Sequence, residues 1–450
     1  MNEQKNLLLA IVSSLLILLI FQYFFPNKPD DKKLEGSKIN IENNLVTAQE
    51  KILPREKIVT NDNRVFISKE SRLKGSLSLI GARFDDVILK DYNSTLSENS
   101  ELVTIFSPRE TLSPYFAEFG WVAKNNNTDV PQSDTLWKIK NGKELDINKP
   151  LTLEWVSPDG FTFTRIISLD ANYMFTIEQK IKNNSSKMQS FIPYGRVNRT
   201  GTPETSGFYI LHEGPIAVLN ERLIEIDYDD LLDKKSTRNI SQGGWLGITD
   251  KYWLAAIIPD QNSTIEAGFK ATASNGIRYQ AEYNSSAIEI QPNKEISIKS
   301  NLFVGAKEVD LLDYYSDSLS LSMFDRAVDF GWFYIITKPL FQLLHWFSSI
   351  FGNVGLSILA LTVLIRIALF CSLIVSVPVN ILTSFKGKAT PILTFLLRSK
   401  GLILFIPCNI AIMVFYYFSF YQLLPLKHYN LLLLHFVLLQ GLILQVLLLQ

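Results

Sequence analysis

Residues 354–377 read VGLSILALTVLIRIALFCSLIVSV, and the one charge in that run is Arg366. About twenty consecutive apolar residues are enough to cross the hydrocarbon core of a bilayer as a helix. An arginine near the middle of such a span costs about 2.5–3.5 kcal/mol on insertion scales, and residues of this kind face water, a partner or a substrate. The run therefore puts the chain among membrane proteins and makes Arg366 the first candidate functional residue. Two readings of it stand on the residues alone. A buried guanidinium needs a counter-charge or water, and no Asp or Glu follows Arg366 in the chain. It then faces water in a groove, or a carboxylate brought by a client. Alternatively the helix ends near Phe370 and Arg366 snorkels to the surface.

Immediately upstream, residues 323–351 (MFDRAVDFGWFYIITKPLFQLLHWFSSIF) are apolar and aromatic but broken by Asp325, Arg326, Asp329, Lys338 and Pro339. Trp332, Tyr334 and Trp346 belong to types that favour the headgroup level and are the expected interfacial anchors. Pro339 is expected to divide the segment into a helix in the membrane surface, a turn, and a second apolar stretch. The alternative is a buried helix pair of the polar domain. The segment 306–352 as a whole reads as a linker helix followed by interfacial amphipathic helices, and 353–377 as the first core transmembrane helix.

Residues 73–305 have another texture. Short alternating runs at 75–79, 161–167, 277–283, 287–290 and 295–303 are separated by turn clusters such as SPDG (157–160), KNNSS (182–186) and QPNK (291–294). Many short strands between Asn, Gly and Pro turns predict a large two-sheet sandwich. Residues 27–72 are rich in Lys, Asp, Glu and Asn with little periodicity and read as a polar linker. Residues 7–25 are apolar and lack a small-x-small cleavage site, so 1–26 read as an uncleaved anchor. The flanking charges give only a weak positive-inside signal for its orientation.

Composition excludes several functions. Lys+Arg and Asp+Glu are both 44, for a net charge of zero, which argues against a general nucleic-acid binder. The only cysteines are Cys371 and Cys408, so the polar body has no disulfide and is held by its own core. Its single histidine is His212, with no metal-ligand spacing, glycine-rich phosphate loop or nucleophile elbow. Neither metal nor cofactor is expected, and no catalytic residues. The carboxylate pairs Asp85–Asp86 and Asp229–Asp230 read as solvated turns and edges, since strand neighbours point to opposite faces. Trp121, Trp137, Trp245 and Trp253 are either core residues or stacking faces of a membrane-anchored carbohydrate-binding sandwich.

FDRAVDFGWFYIITKPLF (324–341) followed by GNVGLSILALTVLIRIALF (352–370) resembles the entry to the core of the YidC family of membrane protein insertases. GARFDDVILKDY (81–92), PYFAEFGWVA (114–123), PYGRVNRTGTPETSGFYILHEGPIAVLNE (193–221) and GGWLGITDKYWLAAIIPD (243–260) resemble the periplasmic domain of its Gram-negative, alphaproteobacterial-type members. The resemblance covers about residues 1–370. It implies a multi-pass α-helical membrane protein with a large all-β periplasmic domain, a β-supersandwich like that of sugar mutarotases, without their chemistry. It implies an inner-membrane location with a cytoplasmic N-terminus and a hydrophilic groove to which Arg366 belongs. The implied activity is insertion and folding of membrane proteins, not catalysis. The implied partners are nascent membrane proteins, the Sec translocon including SecD-type subunits, ribosome–nascent-chain complexes and the lipid bilayer, with no nucleic-acid binding.

The resemblance stops after Phe370. The last 80 residues hold no Asp or Glu, five Lys or Arg and 21 leucines, and the charged hairpin expected there is absent. One reading of 371–450 is an out-of-frame tail, beginning near residue 371, that leaves a truncated, inactive remnant; 378–450 is then an atypical hydrophobic tail. The other is a divergent membrane tail with candidate spans at 401–424 and 431–449, whose Lys386, Lys388, Arg398 and Lys400 form a cytoplasmic loop.

Overall fold

The structure, a computed structural model, describes residues 52–376 except 96, 98–99, 125–127, 148, 206–210, 274–275 and 332–333, with side chains to Ala368. The chain divides into two compact units between residues 51 and 52, and all described residues belong to the second. The anchor expected at 1–26, the tail expected at 378–450 and its candidate spans lie outside them.

A short helix α1 (Arg55–Val59) leads into strands β1 (Arg64–Phe66), β2 (Leu73–Ser78), β3 (Arg83–Asn93), β4 (Leu102–Phe106), β5 (Tyr115–Ala123), β6 (Lys138–Asn141), β7 (Leu151–Val156), β8 (Phe161–Leu169), β9 (Met174–Asn183) and β10 (Gln189–Thr200). Then come β11 (Gly214–Leu219), β12 (Arg222–Glu225), α2 (Tyr228–Lys234), β13 (Asn239–Gln242), β14 (Trp245–Thr249), β15 (Trp253–Ile258), β16 (Thr264–Thr272), β17 (Arg278–Ser285), β18 (Ile288–Ile290) and β19 (Glu295–Ala306). Helices α3 (Val309–Ser318), α4 (Tyr334–Phe351) and α5 (Val354–Ser376) complete the described chain. One sheet has ten strands, ordered β1-β2-β3-β5-β10-β17-β16-β13, with β4 on β3 and β18 on β10. The other has nine, ordered β12-β11-β14-β15-β19-β9-β8-β7-β6.

The two sheets face each other over one core. Period-2 patterning builds it: in β8, FTFTRIISL, every odd-numbered residue is buried and every even-numbered one half-buried, as a strand with one face inward requires. Phe84 of the first sheet meets Phe175 of the second with ring centroids 5.2 Å apart, and Phe161 meets Phe191 at 5.2 Å. Arg165 also points inward. Its guanidinium donates to the carbonyls of Ala82, at 2.9 Å, and Phe119, and lies 4.8 Å from the Trp137 ring. Those carbonyls lie near the place where β3 and β5 share the single pair Phe84↔Ala117. A buried carbonyl without a donor is costly, which gives an inward arginine on an otherwise apolar face its reason.

Two expectations need correction. The sheet starts at Arg64, not Leu73, and the chain from residue 52 is already part of the domain. Asp85 and Asp86 are not solvated; both are buried. Arg64 pairs with Asp85, and Arg55 together with Ser76 binds Asp86. A register shift at Ser76/Leu77 breaks the simple alternation of β3, so adjacent carboxylates are both covered. Burial pushes the Asp85 carboxyl up to about 6 despite Arg64. Asp229 and Asp230, on α2, are exposed as expected.

Candidate functional site

The chain leaves the β domain through α3, whose Leu311, Leu312 and Tyr315 are buried. The start of α3 is pinned by Glu308. Its carboxylate accepts from Arg72 at 2.6 Å and from the Tyr92 hydroxyl at 2.8 Å, while Arg72 lies 4.3 Å over the Tyr173 ring. A 3₁₀ turn, Phe324–Ala327, follows. Phe324 is fully buried, edge-on to Trp245 at 5.2 Å and to Phe303 at 5.7 Å. Trp245 Nε1 donates to the Ser322 carbonyl at 3.1 Å. Aromatic packing thus fixes the last part of the domain before the apolar helices begin.

Pro339 does not divide the next segment. It lies inside the continuous helix α4, and the non-helical break comes earlier, around Gly331 with its φ of +71°. As the sixth residue of α4, Pro339 costs the helix one intrahelical bond near its start rather than dividing it. Gly352 ends α4 at a φ of +60°, with its N–H on the Ser348 carbonyl at 2.9 Å. A left-handed glycine is a common helix stop. Asn353 caps α5 by accepting the Leu356 N–H on Oδ1 at 3.2 Å. Two residues therefore separate α4 from α5, and the helices pack on each other.

Arg366 lies on α5 and is exposed, with no ion pair among the described residues. Gly355, Leu359 and Thr362 precede it at helical spacing on the same side. Among the described residues no helix is long and apolar enough to cross a membrane, and α5 continues to Ser376 beyond its described side chains. Of the expected anchors, Trp332 lies outside the described residues. Trp346 is 47% exposed. Tyr334 turns toward the domain: its hydroxyl donates to Asp325, and the Arg326 guanidinium covers its ring at 3.3 Å.

A cleft of about 770 Å³ beside the junction is lined by His212, Glu225, Asp227, Arg326 and Asp329, among others. The His212 ring is engaged at both nitrogens, with Nε2 3.1 Å from the Pro215 carbonyl and Nδ1 3.5 Å from Asp227. Burial, with Asp329 and Asp227 nearby, raises the Glu225 carboxyl above its ordinary range although His212 opposes this. Among the described residues no group of three or more His, Cys, Asp or Glu could hold a metal ion. Trp121, Trp137 and Trp245 are buried, and Trp253 packs edge-on to Tyr92 at 5.1 Å, so they form core, not open stacking faces. Sequence reasoning treated Lys338 only as a break in an apolar run. The structure buries it between two carboxylates, and the helical spacing of Lys338, Gln342 and His345 could have marked that face.

Comparison with known proteins gives one consistent result. The family model of the YidC periplasmic domain matches residues 68–343. The membrane protein insertase YidC of Rickettsia prowazekii (strain Madrid E) is 43% identical over 377 residues, covering 82% of this chain and 67% of that protein. That of Rickettsia akari (strain Hartford) is 45% identical over 379 residues, with the same coverage. Among solved structures, a galactose mutarotase related enzyme from Lactobacillus acidophilus is similar at a TM-score of 0.36 and 10% identity, over 54% of this chain and 97% of that one. That last likeness carries no chemistry.

Proposed function

Because the chain belongs to the YidC membrane protein insertases, we propose that it moves nascent membrane proteins into the inner membrane through a polar groove to which Arg366 contributes the positive charge. The protein is an inner-membrane insertase with a periplasmic β domain, and it is not an enzyme. The position of Arg366 carries the further reading. It stands twelve residues into α5, about 18 Å along a helix of about 33 Å, against a hydrocarbon core of about 30 Å. Read over its full sequence, α5 spans the bilayer and holds an exposed guanidinium near mid-depth.

The mechanism follows from solvation. A polar client segment entering lipid loses its water and gains nothing in return. A wet groove with one fixed cation replaces part of that hydration and attracts acidic or polar outer segments of clients. The client then leaves sideways, driven by burial of its own apolar surface. Trp346 holds α4 at the headgroup level. The N-terminus lies in the cytoplasm, and the Sec translocon, SecD-type subunits and ribosome–nascent-chain complexes are the partners that family membership suggests.

The test is a photoreactive residue at Val363 or Ile367, beside Arg366, in ribosome-bound insertion reactions. Crosslinks to the client's polar segment support the groove. Crosslinks to lipid alone at both positions would remove it.

A further inference from the structure

Lys338 lies near the start of α4, as its fifth residue. It is also only 5% exposed, and burial of an unpaired ammonium is costly. Its position therefore needs compensation from outside the helix. Nζ lies 2.8 Å from Asp313 Oδ1 on α3 and 2.7 Å from Asp325 Oδ2 in the 3₁₀ turn. The Tyr334 hydroxyl donates to the same Asp325 oxygen. Burial lowers the pKa of Lys338, but Asp313 and Asp325 outweigh it and raise the group above an ordinary lysine.

The sequence pattern shows what this contact does. On α4, Lys338, Gln342, His345 and Ser349 fall at i, i+4, i+7 and i+11, a single polar stripe. On α3, Asp310, Asp313 and Asp317 fall at i, i+3 and i+7. The stripes meet twice, at Lys338–Asp313 and again where His345 Nε2 lies 3.4 Å from Asp310 Oδ2. The second contact is exposed on both sides and contributes little. Around the stripe α4 is apolar, with Ile335 80% exposed and Phe341, Trp346 and Ile350 also out. The polar stripe is narrow, so the partner it meets decides which way the helix faces about its axis.

We propose that Lys338 is a positioning residue that fixes the rotation and exit direction of α4 and, through the two-residue elbow, the face on which α5 presents Arg366. Its purpose rests on the insertase reading; its geometry does not. The aromatic contacts of Phe324 hold the 3₁₀ turn to the domain, and Lys338 holds α4 to the turn.

The experiment is hydrogen–deuterium exchange on the full chain in lipid nanodiscs, for the wild type, Lys338→Gln and Lys338→Arg, with client insertion measured in parallel. Lys338→Gln leaves the buried Asp325 and the half-buried Asp313 without their cation. Exchange across residues 309–345 should accelerate by about a hundredfold, toward the low end of the cost of breaking a buried pair, while β8 and β9 keep wild-type protection. Lys338→Arg should restore most of the protection, and insertion should fall in Lys338→Gln alone. Unchanged exchange at 309–345 overturns the proposal. So does equal acceleration in β8 and β9, which means a general loss of stability, and so does wild-type insertion despite a loosened junction. If the wild-type chain inserts no client, the insertase reading fails, while the exchange data still decide the clamp.

Discussion

Replacing Arg366 should make α5 a better membrane helix and the protein a worse insertase. The arginine sits about 18 Å along a helix of about 33 Å, so it cannot reach either surface without bending a long side chain far along the helix. At that depth it costs about 2.5–3.5 kcal/mol to insert. Arg366→Ala removes most of this, which corresponds to roughly a hundredfold easier partitioning at 1.4 kcal/mol per tenfold. Arg366→Lys keeps both charge and cost, and Arg366→Glu keeps a cost while reversing the sign. Segment 354–376 can be placed in a reporter with glycosylation sites on both sides to read its insertion. Complementation of cells depleted of their own insertase reads function. The expected order of insertion is Ala above Arg, with Lys close to Arg. The expected order of function is Arg, then Lys, then Ala, with Glu last. Full function in Arg366→Ala, or equal function in the Lys and Glu variants, would refute the idea of a cationic groove.

Three further outcomes follow from the β domain. Trp245→Ala empties the space that anchors Phe324 and should cost about 3–5 kcal/mol in urea unfolding, whereas Trp245→Phe should lose mainly the bond to Ser322, about 1 kcal/mol. Gly75→Ala should yield little protease-resistant protein, since its φ is +136° and a Cβ there would lie 2.0 Å from the Asp86 carbonyl oxygen. Burial pushes Lys307 down from 10.5 to about 8, against Asp250, Asp329, Glu213 and Glu225, with Thr249 Oγ1 at 3.0 Å. Between those pH values the unfolded chain holds a proton that the folded chain lacks, so stability rises with pH through that window. Measured against Lys307→Met, the rise should approach about 3 kcal/mol; a difference that stays flat from pH 8 to 10.5 would remove the burial argument.

What could be read from the sequence depended on how local its cause was. The alternation of FTFTRIISL needs only its own residues to specify a one-sided strand, and the SPDG turn carries its own left-handed glycine, Gly160, at a φ of +86°. The buried pair Asp85–Asp86 is a different case. Its partners Arg55 and Arg64 lie 21 to 31 residues earlier, in a stretch whose charge density reads as linker. Long-range ion pairing was ordering a segment that hydrophobic patterning could not. Pro339 misled for a similar reason, because the effect of a proline depends on where the helix starts, and α4 starts only five residues before it. Arg366 stood out as a lone charge in an apolar run. Lys338 did not, because it matters only once α3 and the 3₁₀ turn have brought Asp313 and Asp325 to it.

The place of β19 between β15 and β9 bears on the order of events during synthesis. Within the nine-stranded sheet, the group β6 to β9 and the group of β11, β12, β14 and β15 are joined only by this final strand. More than a hundred residues separate Asn183, the end of β9, from Glu295, where β19 begins. At about 5–20 residues per second, the edge of β9 therefore waits for roughly 5–20 s without its neighbour. Such an edge is a template for mispairing, and pairing across so long a separation is intrinsically slow. The domain can close only when β19 arrives, immediately before α3, α4 and α5 follow it out of the ribosome. Folding outside the membrane and delivery of the arginine-bearing helix to the bilayer thus share one narrow interval in the life of the nascent chain.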